Sequence, residues 1–141
     1  MPKGSILVSW DISIQRFSRV YTSIQQIPND ERCVPLGSQA EVRAAISEVF
    51  HGTDWSDPTW GNYDFAGGSI EFNMGKPESN NGFMLHVRAS EQVVPLIVTL
   101  CIQNGWQALD CGSGEFLEQS NEPASGQDAW LAYRNQVLGK A

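Results

Sequence analysis

Residues 60–88, WGNYDFAGGSIEFNMGKPESNNGFMLHVR, hold three short strand patterns in succession, separated by clear turns. Ile70, Phe72 and Met74 alternate with Glu71 and Asn73, while Phe83, Leu85 and Val87 alternate with Met84, His86 and Arg88. That period of two is the mark of strands with one face buried. Ala66-Gly67-Gly68 supplies the backbone angles of a tight reversal, and Gly75 to Gly82, with Pro77 and the Asn80-Asn81-Gly82 run, is turn material throughout. The stretch therefore predicts a small antiparallel sheet with one apolar face and one mixed face.

Upstream, Ile6, Val8, Trp10, Ile12 and Ile14 occupy every second position, which predicts a long first strand over about 5–17. A helix through Ile14, Phe17, Tyr21 and Ile24 also fits the spacing, but the β-branched alternation before it and Pro28-Asn29-Asp30 after it make it the weaker reading. Residues 18–37 read as mostly irregular. Ser38 and Glu41 form a capping box, in which hydroxyl and carboxylate satisfy each other's free backbone amides. Val42, Ala45, Ile46, Val49 and Phe50 then give one apolar helical stripe that ends near His51-Gly52. Thr53 to Thr59, TDWSDPT, reads as a polar loop carrying Trp55, with Pro58 opposing a helix.

Downstream, Ser90 is placed to cap a second helix reaching about Asn104, deeply packed through Val94, Ile97, Val98, Cys101 and Ile102. Pro95 falls in its first turn and Asn104-Gly105 is its stop. Trp106 to Asp110 and Glu115 to Leu117 read as two short strands around the turn Cys111 to Gly114. Residues 119–126 read as a loop, and Asp128 to Leu138 as a last amphipathic helix anchored by Trp130, Tyr133, Val137 and Leu138. The sum is an α+β fold in a single domain, 1–141: a mainly antiparallel sheet of about five to six strands with two to three helices packed on one face. The other face, if open, displays Ser9, Asp11, Ser13 and Gln15 beside Glu71, Asn73, His86 and Arg88.

With 141 residues and 41% apolar side chains the chain can bury a core without staples. Cys33, Cys101 and Cys111 are an odd number with no CxxC spacing, which fits reduced thiols and a cytoplasmic protein better than a disulfide framework. The few apolar residues after Met-Pro-Lys-Gly are too short for a signal sequence, and no stretch has the length of a membrane span. The net charge of −7 is unevenly spread: neither 44–75 nor 89–133 contains a Lys or Arg. A surface of that sign repels phosphate backbones and anionic lipid, so nucleic acid and membranes are not expected partners.

Each chemical motif has a plain structural explanation. Cys111, between Asp110 and a Gly-Ser-Gly turn, would need a base such as His86 to become a nucleophile, and no spacing joins them. Gly112-Ser113-Gly114 is too short for a nucleophile elbow or a phosphate loop. His51 and His86 have no second ligand at metal-binding spacing, so neither a metal nor another cofactor is expected. Glu71, His86 and Arg88, neighbours across adjacent strands, could do acid/base work on a small molecule. Trp55, Trp60 and Trp106 stand out because indoles are enriched where proteins bind proteins, although core packing claims many of them.

The runs VPLGSQAEVRAAISEVF, DPTWGNYDFAGGSIEFNMG, FMLHVRAS and NGWQALDCGSGEFLE, within residues 34–118, resemble a group of small bacterial proteins. By general type these resemble immunity proteins, which neutralise toxins of bacterial competition. What the resemblance implies is a non-enzymatic chain with an acidic, aromatic-bearing surface for a basic toxin, bound by fast, electrostatically steered association. The expected contact residues are Asp54, Trp55, Asp57, Trp60 and Asp64 in the 53–64 segment, with Asp110, Glu115 and Glu118 in the 110–122 segment. An enzyme or ligand-binding domain using Glu71, His86 and Arg88 is the alternative, and a self-associating subunit such as a homodimer is a third.

Overall fold

A computed structural model describes residues 9–120. The strands are β1 (Trp10–Gln15), β2 (Gly37–Ser38), β3 (Asp54–Asp57), β4 (Trp60–Phe65), β5 (Gly68–Asn73), β6 (Ser79–Asn80), β7 (Phe83–Ala89) and β8 (Gln107–Asp110), and the helices are α1 (Gln39–Val49) and α2 (Val94–Asn104). Six strands form one sheet in the order β3-β4-β5-β7-β1-β8, with every neighbouring pair antiparallel. β2 and β6 form a separate two-stranded ribbon. The expected α+β class is what the chain adopts, with two helices among the described residues. The helix expected over 128–138 lies outside them.

The alternation read from the sequence becomes the division between the two faces of the sheet. Ile12, Ile14, Ile70, Phe72, Leu85 and Val87 are fully buried on one face. Val42, Ile46 and Phe50 from the α1 side, and Ile97, Leu100 and Cys101 from α2, join them in a single cluster. β1 therefore sits between β7 and β8 and carries core residues from both directions, although it is far from both in sequence. Both helices start and stop as their sequences dictate. Ser38 Oγ accepts from the Glu41 amide (3.1 Å) and Glu41 Oε1 accepts from the Ser38 amide (2.9 Å), completing the capping box. Gly105 closes α2 at φ 70°, a left-handed angle.

Several boundaries differ from the sequence reading, each for a local reason. Asp54–Asp57 is a strand and not a loop, because Trp55 folds down against Phe72 (centroids 6.1 Å apart) and donates from Nε1 to Ser47 Oγ of α1 (2.9 Å). Pro58 lies in the β3–β4 turn, where its missing amide is not needed. Glu115–Leu117 is not a strand: only a Leu109–Phe116 bridge forms before a 3-10 turn at Leu117–Gln119. Glu118 is the cause, since its carboxylate takes the Ala108 amide (2.8 Å) and Gln107 Nε2 (2.8 Å), occupying the outer edge of β8. Ser90 makes no capping hydrogen bond; a 3-10 turn, Glu91–Val93, leads into α2. Ile102, expected in the packed set, is 67% exposed, so α2 is not buried on all sides.

The loop from β5 to β7 is held by two buried amides. Gln39 Nε2 donates to the carbonyls of Met74, Gly75 and Pro77 (3.2, 3.2 and 2.7 Å), and Asn80 Nδ2 donates to Gln39 Oε1 (3.0 Å). Asn80 Oδ1 accepts the Gly82 amide (2.8 Å). Asn80→Ala strands Gln39 Oε1 and the Gly82 amide, and is expected to cost about 1–3 kcal/mol in urea unfolding. Asn81→Ala, at an exposed position without a side-chain hydrogen bond among the described residues, should stay within about 0.5 kcal/mol of wild type. Equal losses in the two variants would show that the amide pair is not what fixes the loop.

The segment between β1 and β2 is irregular apart from a 3-10 turn at Ile24–Gln26. Gln107 anchors it at Tyr21, accepting the backbone amide (2.9 Å) and donating to the carbonyl (2.7 Å). Glu31 anchors it again, accepting from Ser18 Oγ (2.7 Å) and the Tyr21 hydroxyl (2.5 Å). The Ser18 and Tyr21 hydroxyls hold the Glu31 carboxyl below its ordinary 4.5, and the same Glu31 bond pushes the Tyr21 phenol above 10.0. A carboxylate with a lowered folded value stabilises fully above its unfolded value and loses that contribution as pH falls through the folded one. A phenol with a raised value stabilises below 10.0 and loses that contribution as pH rises through its folded value. The protection factor of the hydrogen-bonded Tyr21 amide, followed from about pH 6 down to pH 2 and corrected for the slower intrinsic exchange in acid, should therefore fall below the ordinary carboxylate value. Glu31→Gln should abolish the acid step; an unchanged profile in that variant would assign the step to another group.

Candidate functional site

Among the described residues no helix lies on the second face of the sheet, and the antiparallel register arranges its side chains in rows. One row is Trp60, Asn73, Met84 and Ser13; the next is Asn62, Glu71, His86 and Asp11; Asp64, Ser69 and Arg88 form a third. Residues two apart on one strand share a face, which is why polar positions that look scattered in sequence converge here.

At the centre, the Trp60 indole stacks on the His86 imidazole, with centroids 5.7 Å apart and planes 21° apart. Trp60 Nε1 donates to Glu71 Oε2 (3.4 Å), and Arg88 donates to Glu71 Oε1 (2.5 Å). His86 Nδ1 lies 2.9 Å from Asp11 Oδ1, which also accepts from Ser9 Oγ (2.5 Å). The carboxylate acceptor places a proton on Nδ1 and leaves Nε2 without a partner among the described residues. A half-buried indole is thus fixed on its strand by a stack on His86 and a hydrogen bond to Glu71.

The edge beside Trp60 is acidic. Asp57 pairs with Trp60 and Asp54 with Asn62 across β3 and β4. The Ser56 hydroxyl and amide hold the Asp54 carboxyl below its ordinary value, and those of Thr59 do the same for Asp57, so both stay charged. Asp64 is exposed on the same face, and its side chain makes no hydrogen bond among the described residues.

The expected contact residues do not gather in one patch. Asp54, Asp57, Trp60 and Asp64 lie on or beside the β3–β4 edge, and Trp55 shares that edge but turns its ring into the core side over Gly61. The 110–122 segment begins at the opposite edge, five strand spacings or about 24 Å away. There Asp110 is buried and accepts the Gly112 and Ser113 amides (2.8 and 3.3 Å), Glu118 is bound to β8, and Glu115 is exposed. Trp106 is buried against Phe83. Cys111 follows Asp11 in the sheet, its amide donating to the Asp11 carbonyl (3.1 Å), so Asp11 stands between the thiol and His86. Burial, then the charges of Asp11 and Asp110, raise that thiol's pKa, which is the reverse of nucleophile activation. His51 is exposed in the turn after α1.

Asp11 was legible only as an open-face residue. Its place beside His86 depends on which strand pairs with β1, and alternation alone does not carry that information. Among the described residues no three or more His, Cys, Asp or Glu side chains cluster as metal ligands, and no helix is long and apolar enough to cross a membrane. No sequence family, curated protein or solved structure matches the chain.

Proposed function

We propose that the chain is a non-enzymatic protein-binding module of the cytoplasm, an immunity protein that neutralises a basic bacterial toxin by covering its active site. The observation that carries this reading is Trp60, presented on the open sheet face with Asp57 paired beside it and Glu71 bound to its indole. A rigid indole ringed by carboxylates supplies both halves of such an interface: apolar area at low entropic cost, and a field that steers a cationic partner. Asp54, Asp57 and Asp64 provide that field, and the opposite edge, with Asp110 and Glu118 committed to backbone amides, is left to structural work.

The test is direct. The chain is mixed with the purified product of the gene adjacent to its own, and complex formation and the toxicity of that product are measured at low and high salt. The expected result is a tight one-to-one complex that weakens with salt and abolishes toxicity. No complex, or a complex in which toxicity persists, contradicts the proposal.

A second reading is favoured by one observation, the Asp11–His86 pair with Nε2 open, which is the base half of an acid/base site. Against it, Ser9 is bound to the carboxylate and not to Nε2, Glu71 is neutralised by Arg88, and neither hollow described for the structure is lined by Glu71, His86 or Arg88. Substrate turnover lost in His86→Asn would replace the binding proposal with this one.

A further inference from the structure

Beside the Trp60–His86 cluster, the open face ends in a hollow of about 480 Å³ between the sheet and the β5–β7 loop. That volume is in the range of small-molecule sites. Three strands and the loop converge on it: Ser13 and Gln15 from β1, Asn73 from β5, Met84 from β7, and Asn81 from the loop. None of the lining residues is charged. The side chains of Ser13, Gln15, Asn73 and Asn81 make no hydrogen bond among the described residues, and the first three are half-buried. The wall is not soft, because the Gln39–Asn80 pair fixes the loop from behind.

We propose that this hollow binds a neutral, polyhydroxylated ligand, a mono- or disaccharide unit. Amides and hydroxyls each donate and accept, and so does every hydroxyl of a sugar, so the open hydrogen-bonding capacity of the wall is matched group for group. Met84 in the lining offers an apolar contact for the C–H side of a pyranose ring. A phosphate, carboxylate or ammonium ligand would find no counter-charge there, and a purely apolar ligand would leave the amides unpaired. The inference is independent of the toxin reading: it uses Asn73, Gln15 and Ser13, and none of the acidic edge.

The test is an amide-resolved NMR titration of the whole chain with glucose, galactose, mannose, N-acetylglucosamine, maltose, lactose and cellobiose. Inorganic phosphate and an acetylated tripeptide amide serve as competing chemistries. The expected result is saturable shifts of the Gln15 and Asn73 side-chain amides by at least one saccharide, with dissociation constants of about 10 mM or below. Asn73→Ala and Gln15→Ala should each weaken that binding about tenfold while melting as wild type does. The proposal is overturned if no saccharide saturates, if binding persists unchanged in both variants, or if phosphate or the peptide binds more tightly than every sugar.

Discussion

Gly68→Ala is expected to destabilise the chain by on the order of 3–5 kcal/mol. Gly68 opens β5 immediately after the Ala66-Gly67 reversal, at φ 134°, an angle closed to L side chains. A Cβ there would lie 2.2 Å from the Arg88 carbonyl oxygen and 2.6 Å from the Ala89 Cα, both backbone atoms of β7. Neither can rotate away, so relief requires separating β5 from β7, the pairing that aligns Glu71 with His86 and Ser69 with Arg88. Gly52→Ala isolates the angle from the clash: it has φ 86° but nothing within 4 Å of the new methyl group, and it should cost only about 1–2 kcal/mol. Urea unfolding of the two variants reads both numbers. A loss near 1 kcal/mol for Gly68→Ala would show that the hairpin has slack which the close approach denies.

Trp60→Ala should weaken binding of the proposed toxin partner by about 2–4 kcal/mol, roughly 30- to 700-fold, with little change in unfolding. Its indole covers no core residue; it rests on His86 and hydrogen-bonds Glu71 on the open face. Trp55→Ala should do the opposite. Trp55 lies over Phe72 and Gly61 and holds α1 through Ser47, so its loss lowers stability while leaving the open face intact. Calorimetric affinity and urea midpoints for the two variants separate the roles. Equal affinity losses in both would mean that the contact surface wraps the edge and is not centred on Trp60.

These two indoles show where the sequence was readable and where it was not. Alternation in β1, β5 and β7 assigned Ile12, Phe72 and Leu85 to the core and Asp11, Glu71 and His86 to the other face, because a period of two survives without knowledge of neighbours. The capping box at Ser38 and the Gly105 stop were equally local. Trp55 and Trp60 sit five residues apart in one acidic stretch, and nothing local separates them. Trp55 is drawn inward by Ser47 and Phe72, and Trp60 outward by Glu71 and His86, partners 8, 17, 11 and 26 positions away. The acidic residues divide for the same reason. Asp110 and Glu118 resemble Asp54 and Asp57 in composition, yet β8 lies at the far edge of the sheet, where the Ala108 amide binds Glu118 and the Gly112 amide of the following turn binds Asp110. Strand order is a long-range property, and it decides which charges stand together.

On the proposed reading, the acidic β3–β4 side of the open face, with Trp60 at its middle, meets a cationic partner. The association rate of the complex, measured by stopped flow against ionic strength for wild type, Asp64→Lys and Glu115→Lys, tests this. Both positions are exposed and both variants change the net charge equally, but they lie toward opposite ends of the sheet. The rate is expected to fall steeply with salt, to drop about tenfold in Asp64→Lys at low salt, and to change less than about threefold in Glu115→Lys. Equal effects of the two reversals, or a rate indifferent to salt, would rule out an interface centred on this side of the sheet.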